Sequence, residues 1–436
     1  MAVASMVSDE RRGWNTPLIQ AAIVIVVGVF ATTLAQPQVL ARLPLQNLLK
    51  NELHVGRAAN AAFFFWANLP WYFKPFAGIV TDAFPVFGSR RKSYLVISVL
   101  LGVAAWAGIY FTPHLYHPLL WMVILINTFM VVASTVVGGY MVETAQATSG
   151  SGRLTAVRQF VGQLCIVING PASGYLASIA FGWTAVACGG VVFLLVPVTI
   201  LFLREQRKTI DSRALIEAAG RQLGRIGSAG TMWAAAGLMA LFYIAPGLST
   251  AVFYKQQNDL HMTTQGQGFL GMISGVCGVA AAVVYGLACR RFNLRTLLIV
   301  CLSAATIANL GYLYYASVLD AQLIEGFNGF GFTLAELALM DLAVRATPAG
   351  SEGLGFSLML SVRNFALFGT DWLGSTLLET YHFKFNTLVL ANAATTLVTV
   401  PLVLLLPLVL VRRRDAEVEA AELYEDGAAP RTAPQV

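Results

Sequence analysis

Charged residues are scarce in this sequence. Asp, Glu, Lys and Arg make up 11% of the 436 residues, against about a quarter in soluble globular domains. A chain with so few charges cannot cover a water-facing surface with polar groups, which excludes a soluble enzyme carrying one anchor. Hydrophobic residues reach 57%, the mean hydropathy is +0.68, and apolar runs long enough to cross a bilayer, roughly 20 residues, recur throughout. The composition therefore predicts a polytopic helical membrane protein.

Motifs for metal, phosphate and covalent chemistry are also absent. The five cysteines include no CxxC pair and fall in or beside apolar runs, as packed thiols do. The five histidines show no HExxH spacing, and no GxxxxGK[ST] phosphate loop occurs. We therefore expect neither an enzyme nor an ATP-driven pump, and no cofactor or metal. The first apolar run is too long for a signal peptide and lacks a cleavage site, so we expect it to be retained.

The apolar runs predict an all-α integral membrane protein with twelve transmembrane helices. They fall at residues 17–40, 58–80, 93–112, 118–146, 155–180, 182–203, 231–254, 266–289, 295–315, 321–344, 353–379 and 385–411. The resulting division is an N-terminal tail 1–16, a six-helix bundle 17–203, a linker 204–230 expected to hold an amphipathic surface helix, a second six-helix bundle 231–411 and a C-terminal tail 412–436.

The distribution of Lys and Arg sets the orientation. Of the 28 cations, 21 fall on the side of the chain termini and five on the opposite side, while Lys74 and Arg363 lie inside predicted spans. Cytoplasmic loops carry the excess of Lys and Arg, so both termini are predicted to be cytoplasmic. We expect a multi-pass protein of a bacterial inner membrane, with an organelle envelope as the alternative. The same bias explains the net charge of +6 without a nucleic-acid partner.

An internal repeat relates the two halves. Four short matches recur at offsets of 198–207 residues, each at the corresponding span. The pairs are NELH at 51–54 with NDLH at 258–261, VRQF at 157–160 with VRNF at 362–365, Arg90–Arg91 with Arg290–Arg291, and Glu143 with Asp341. Such a parallel repeat predicts two pseudo-symmetric six-helix bundles, with substrate bound between the halves and transport by alternating access.

The segment KPFAGIVTDAFPVFGSRRKSYL, which joins spans two and three, carries a family resemblance. It resembles the signature loop of the major facilitator superfamily and, more specifically, that of the folate–biopterin transporter family. The matching positions are Lys74 and Pro75, Gly78 and Asp82, Pro85 and Gly88, and Arg90 and Tyr94. The segment 245–271 and LLKNELHV at 48–55 are similar to the same family, although Lys255, Gln256 and Gln257 replace its last span-seven aromatics. The resemblance implies a major facilitator fold and a secondary active transporter of a folate- or biopterin-like anion.

Lys74, Gly78 and Asp82 follow one another at i, i+4 and i+8, so they share one helical stripe. A charge inside a span marks function by default, and we expect Lys74 to meet the substrate. The alternative is a snorkelling lysine. Asp82 and Gly78 are predicted gate residues, with Asp82 pairing with Arg90, with Arg91 or with the start of span eleven.

Arg158 and Arg363 occupy equivalent places in the repeat. Because guanidinium groups hold carboxylates in a bidentate fork, both are predicted to bind an anionic substrate. For Arg363 the alternative is an internal ion pair with Glu336 or with Asp371.

Carboxylates inside spans are candidates for proton coupling, since burial favours their protonated form. Glu336 in span ten and Asp371 in span eleven are the two candidates. Glu143 and Asp341 end their spans at the cytoplasmic face, and we expect them to act as gate partners of the basic loops.

Aromatic residues offer a stacking surface for a pterin ring. The candidates are Phe64, Trp66 and Trp71 in span two and Phe253 and Tyr254 in span seven. We predict substrate contact for Trp71 and Tyr254, and an interfacial belt is the alternative role.

Taken together, the sequence predicts a monomeric transporter whose partners are a small anionic substrate, membrane lipid and a coupling proton. Two alternatives remain open. One is a major facilitator transporter of another organic anion or amphiphile, such as a peptidoglycan fragment or an exported compound. The other is a non-transporting receptor on the same scaffold.

Overall fold

The computed structural model describes residues 16–87, 89, 91–148, 151–203, 212–289, 291–348 and 351–411. This part of the chain is helical and contains no strand, apart from an isolated bridge between Val86 and Ser89. It packs as two compact units. Unit 1 comprises the residues up to Arg221 together with Gln256–Met272, and unit 2 comprises Gln222–Lys255 and the residues from Ile273 onward.

The helices before the linker belong to unit 1. They are α1 Thr16–Leu34, α2 Arg42–Asn47, α3 Arg57–Ala67, α4 Leu69–Tyr72, α5 Lys74–Ala83, α6 Lys92–Phe111, α7 Tyr116–Thr148, α8 Ser151–Leu176, α9 Phe181–Phe193 and α10 Leu195–Phe202. A π-helical turn, Leu48–Glu52, follows α2.

The remaining helices start at the linker. They are α11 Ser212–Ser228, α12 Gly230–Tyr243, α13 Ser249–Asn258, α14 Thr264–Ala288, α15 Leu294–Leu310, α16 Val318–Ala346, α17 Glu352–Glu379, α18 Phe385–Leu402 and α19 Leu408–Val411. Short 3₁₀ turns, Gly311–Tyr314 and Val403–Leu405, follow α15 and α18.

Each predicted span coincides with one helix or with a broken run of helices. Seven helices of the described residues are long and apolar enough to cross a bilayer, and the bent pair α11–α12, at 73°, makes an eighth candidate. The other predicted spans are shorter, interrupted or more polar. In span two, Pro70 and Pro75 lie in the first turns of α4 and α5. Because proline cannot continue a preceding helix, span two becomes three short helices.

Unit 2 has a core in which small residues let helices approach closely. Gly331 of α16 packs against α15, where an added Cβ would lie 3.0 Å from the Cβ of Ala308. Gly329 packs against α14, where an added Cβ would lie 2.2 Å from the carbonyl oxygen of Ser274. Close backbone approach at Gly and Ala is typical of helix packing in membranes, and here it fixes α16, which carries Glu336.

The two halves of the repeat share a loop conformation. His54 and His261, 207 residues apart, both have positive φ, at 52° and 50°, which is uncommon for a residue other than glycine. Each follows a helical turn closed by the same bond, from Val55 N–H to Leu49 O at 2.8 Å and from Met262 N–H to Gln256 O at 2.9 Å. The NELH and NDLH matches therefore correspond to one local structure.

The segment Gln256–Met272 packs within unit 1 although it lies in the second half of the sequence. Glycines permit this, because a Cβ on Gly170 of α8 would lie 2.4 Å from the backbone nitrogen of Met272. The amide of Gln257 also donates to Asn47 Oδ1 at 3.3 Å. The bundle limits at residues 203 and 231 stay predictions.

Candidate functional site

A polar cavity opens inside unit 1. The space inside it that a water molecule can occupy is about 40 Å³, and the empty volume rises to about 310 Å³ when the open solvent at its mouth is counted. Three helices line it: α1 with Val29, Thr32 and Thr33, α7 with Ser134, Val137, Gly138 and Met141, and α8 with Arg158. The Arg158 residue is exposed, and its side chain forms part of the cavity wall.

A second cation, Lys74, lies beside this cavity. The break at Phe73 makes Lys74 the first residue of α5, and its Nζ donates to Ser134 Oγ at 3.2 Å. The charge of Arg158 acts on Lys74, so the two cations repel each other. Within the described part of the chain neither has a carboxylate at salt-bridge distance. No described residue therefore compensates the positive charge of the cavity.

Trp71 positions Lys74. The Nζ of Lys74 lies 5.2 Å from the centroid of the Trp71 ring, within the range of a cation–π interaction. The indole Nε1 in turn donates to Asn127 Oδ1 at 3.0 Å, and Asn127 donates to the carbonyl of Ala67 at 2.6 Å. Trp71 is thus buried and fixed against α7. Tyr254, the other predicted aromatic, is buried in unit 2 against Phe253, with ring centroids 5.5 Å apart.

Arg363 in unit 2 has an internal partner. Its Nη2 pairs with Glu336 Oε1, its Nε donates to Tyr243 OH at 3.3 Å, and its Nη1 donates to Asn364 Oδ1 at 3.0 Å. The guanidinium carbon also lies 5.4 Å from the Tyr243 ring centroid. Of the two partners that the sequence left open, the structure pairs Arg363 with Glu336. The site is therefore neutral in this state.

Asp371 has a different environment. Its carboxylate accepts a hydrogen bond from Thr250 N–H at 2.9 Å and another from Thr250 Oγ1 at 2.7 Å. Thr250 lies in the first turn of α13, just after the break in span seven that contains Pro246. The same break packs on α17 through Gly247, whose N–H donates to Thr370 O at 2.9 Å. Asp371 thus caps the restarted helix, a position that favours an anion.

Another carboxyl cluster lies nearer the start of α16. Glu325 accepts hydrogen bonds from Tyr315 OH at 3.1 Å and from Tyr312 OH at 3.3 Å. Both tyrosines are buried. This cluster does not include Arg363 or Glu336.

The predicted gate residues are only partly described. Arg90 lies outside the described residues, and so do the side chains of Asp82 and Glu143. Arg91 is 5% exposed and lies over Gly139 of α7, where an added Cβ would be 2.6 Å from its guanidinium carbon. The Gly78 position makes an ordinary contact, with an added Cβ 3.6 Å from Thr135 Cγ2.

Asp341 is bound within its own unit. Arg345, one turn later on α16, donates to its two carboxylate oxygens at 2.8 and 3.2 Å. Tyr285 OH donates to Asp341 Oδ2 at 3.1 Å. The bidentate pair explains why the aspartate is stable at a largely buried helix end.

Sequence reasoning missed the uncharged residues of both sites. Ser134, Thr32 and Thr33 carry no charge and sit in apolar runs, so hydropathy gives no sign of their role. Tyr243 looked like one aromatic among many. Only the repeat offset could have indicated the cavity-lining Gly138.

Comparisons with known proteins agree with this architecture. The model of the BT1 family matches residues 37–422. A folate-biopterin transporter of Synechocystis sp. (strain ATCC 27184 / PCC 6803 / Kazusa) is 28% identical over 404 residues, which cover 84% of this chain and 78% of that protein. Folate transporter 1 of Plasmodium falciparum (isolate 3D7) is 22% identical over 360 residues, covering 78% of this chain and 70% of that protein.

Solved structures of transporters share the fold. A D-xylose-proton symporter superposes with a TM-score of 0.67 at 13% identity, covering 88% of this chain and 96% of that one. A nucleoside transporter superposes with a TM-score of 0.64 at 13% identity, covering 90% and 99%. The predicted twelve-helix major facilitator fold is confirmed, and the prediction of a transporter rather than an enzyme is confirmed by the relatives.

Proposed function

The chain belongs to the BT1 family, and from that premise we propose that this membrane transporter moves a folate- or biopterin-like organic anion by secondary active transport with alternating access. One observation carries the choice of an anion. The cavity of unit 1 places Arg158 at its wall and Lys74 beside it, with no carboxylate of the described residues close to either. A cationic substrate would be repelled there.

The two cations have different roles in this proposal. Arg158 is exposed at the cavity, and its planar fork of donors matches a carboxylate in bidentate geometry. Lys74 adds a point charge, held in place by Ser134 and by the Trp71 ring. Tyr254 remains a candidate for contact with an aromatic ligand ring.

Proton coupling is assigned to the ion pair of unit 2. Protonation of Glu336 would remove the charge that holds Arg363 and leave the guanidinium able to act on a substrate anion. Asp371, the other candidate, is favoured less because the two hydrogen bonds that it accepts from Thr250 stabilise the start of α13. The coupled ion is thus a proton carried by Glu336.

Gating is assigned to the cytoplasmic ends of the spans. Arg91 and Asp341 are held by contacts within their units, and the remaining gate residues of this proposal are Gly78, Asp82, Arg90 and Glu143. We place the protein as a monomer in a bacterial inner membrane with cytoplasmic termini.

Uptake of labelled folate and labelled biopterin tests the substrate and the coupling. Cells expressing the chain should accumulate at least one of them, and a protonophore should abolish accumulation. The Arg158→Gln variant should lower the apparent affinity for folate by about tenfold or more, since a charge-assisted hydrogen bond contributes roughly 1.5–3 kcal/mol. The matched control is Arg221→Gln in α11, 64% exposed and distant in sequence from the site. No accumulation of either compound by a correctly inserted protein would refute the proposed substrate class.

A further inference from the structure

The repeat relates Gly138, one of the residues that line the cavity of unit 1, to an equivalent position in the second half. Spans four and ten are related by the pair Glu143 and Asp341, at an offset of 198 residues. The same offset on the same two helices relates Gly138 to Glu336. Arg158 and Arg363 are related likewise, at 205 residues. The two residues that form the ion pair of unit 2 therefore correspond to an arginine and a glycine in unit 1.

The structure brings each of these pairs together within its own unit. In unit 2, Arg363 binds Glu336 directly. In unit 1, Arg158 and Gly138 line one cavity. A Cβ added to Gly138 would meet no atom within 4 Å. The space that a side chain would fill at this position is therefore open.

The third wall of each site also corresponds. Tyr243, the last residue of α12, donates no bond to the pair but accepts one from Arg363 Nε. In unit 1 the equivalent helix α1 contributes Thr32 and Thr33, two residues and one residue before its end at Leu34. Both sites are thus built from the first, fourth and fifth spans of their half, which are α1, α7 and α8 in unit 1 and α12, α16 and α17 in unit 2. They differ in that one has a carboxylate opposite its arginine and the other has a cavity.

We propose that the cavity of unit 1 is the ion-pair site of unit 2 with its carboxylate removed, and that a carboxylate of the transported molecule fills the vacant position opposite Arg158. This inference rests on the proposed function and narrows it. The preferred substrates are those that carry a carboxylate on a flexible arm, as the glutamate tail of folate does. A pterin without a carboxylate, such as biopterin, gains nothing from this contact.

Two further observations favour a ligand carboxylate over a permanent internal partner. Lys74 adds a second positive charge beside the cavity through its bond to Ser134, which increases the attraction for an anion. The cavity-lining residue one turn after Gly138 on the same helix face is Met141, which is uncharged and cannot form an ion pair with Arg158. The described residues of unit 1 thus supply charge of one sign to the site.

The test restores the missing carboxylate. Gly138→Glu should pair with Arg158 and exclude the ligand, whereas Gly138→Gln adds the same bulk without the charge. In binding measurements on the purified protein, the affinity of Gly138→Glu for labelled folate should be about tenfold or more below that of Gly138→Gln. This difference is the range expected for loss of a charge-assisted hydrogen bond. Biopterin should bind the two variants equally. Equal folate affinities for the two variants would overturn the inference.

A second measurement needs no ligand. Thermal unfolding should show Gly138→Glu melting above Gly138→Gln, and this difference should vanish when both carry Arg158→Gln, because the coupling belongs to the new pair. If the wild-type protein binds neither folate nor biopterin, the proposed substrate fails, yet this cycle still decides whether the position opposite Arg158 accepts a carboxylate, which the inference requires. A stabilisation that depends on Arg158 supports it, and the absence of one overturns it.

Discussion

The ion pair between Arg363 and Glu336 should be strongly coupled, and single substitutions should reveal this. Glu336→Gln leaves the guanidinium without its counter-charge, although Tyr243 and Asn364 still contact it. Arg363→Gln leaves the carboxylate of Glu336 without its cation. The double variant removes both charges and leaves two amides that can hydrogen-bond to each other. We expect each single variant to be less stable than the double variant.

Burial sets the magnitude of this effect. The side chains of Arg363 and Glu336 are 18% and 30% exposed, so the pair lies between the buried and the surface limits. Breaking a buried pair costs about 3–5 kcal/mol, and an exposed pair contributes about 0–1 kcal/mol. We therefore expect each single variant to lose roughly 2–3 kcal/mol of unfolding free energy. For a unit of about 200 residues, this lowers the unfolding midpoint by roughly 5–10 °C.

Thermal unfolding of the purified protein measures the stability of each variant. Transport assays then test separately whether Glu336 couples substrate movement to protons. Glu336→Gln should still exchange labelled folate across the membrane, since exchange needs no net proton movement, but it should lose accumulation driven by a proton gradient. Shifts below about 1 °C for both single variants would refute the burial argument. Retained proton-driven accumulation in a stable Glu336→Gln protein would refute Glu336 as the proton carrier.

Two further substitutions test the other assigned roles. Asp371→Asn and Thr250→Val should each destabilise the protein by about 1–2 kcal/mol without changing the pH dependence of uptake, because both weaken the cap of α13. Loss of pH dependence in Asp371→Asn alone would identify Asp371 as a proton carrier instead. Gly139→Ala should displace the Arg91 guanidinium, 2.6 Å from the added Cβ, and slow initial uptake while changing stability little, because the flexible end of a side chain can move. Gly190→Ala, which meets nothing within 4 Å, is the matched control, and equal uptake rates in the two variants would contradict a gating role for Arg91.

The spans were predictable because the bilayer imposes a length and a composition. Lipid leaves no partner for backbone polar groups, so apolar runs of about 20 residues must be helical. What sequence did not reveal is where these helices break. Pro70, Pro75 and Pro246 are present in the sequence, yet hydropathy alone predicts an unbroken span at each of them. The breaks matter for function, because one starts α5 at Lys74 and another creates the helix start that Asp371 caps.

Charge pairing was the part of the site that the sequence could not decide. Arg363 had two carboxylates within reach, and the choice depends on which faces of α16 and α17 meet. Gly329 and Gly331 pack α16 closely against α14 and α15, and such contacts have no signature in hydropathy. The cavity at Gly138 is harder still to predict from the sequence, because glycine leaves open the space that a larger residue would fill there.

The positive charge of the unit 1 cavity, which no described residue compensates, limits how tightly a ligand can bind. Moving a charge out of water without a partner costs several kcal/mol, so a dry cavity holding Arg158 and Lys74 would be unstable. The open mouth of the cavity allows water to reach the cations in the empty state. An arriving carboxylate must displace that water, and only the difference between the two sets of contacts contributes to affinity. A modest difference suits a protein that has to release its substrate on the other side of the membrane.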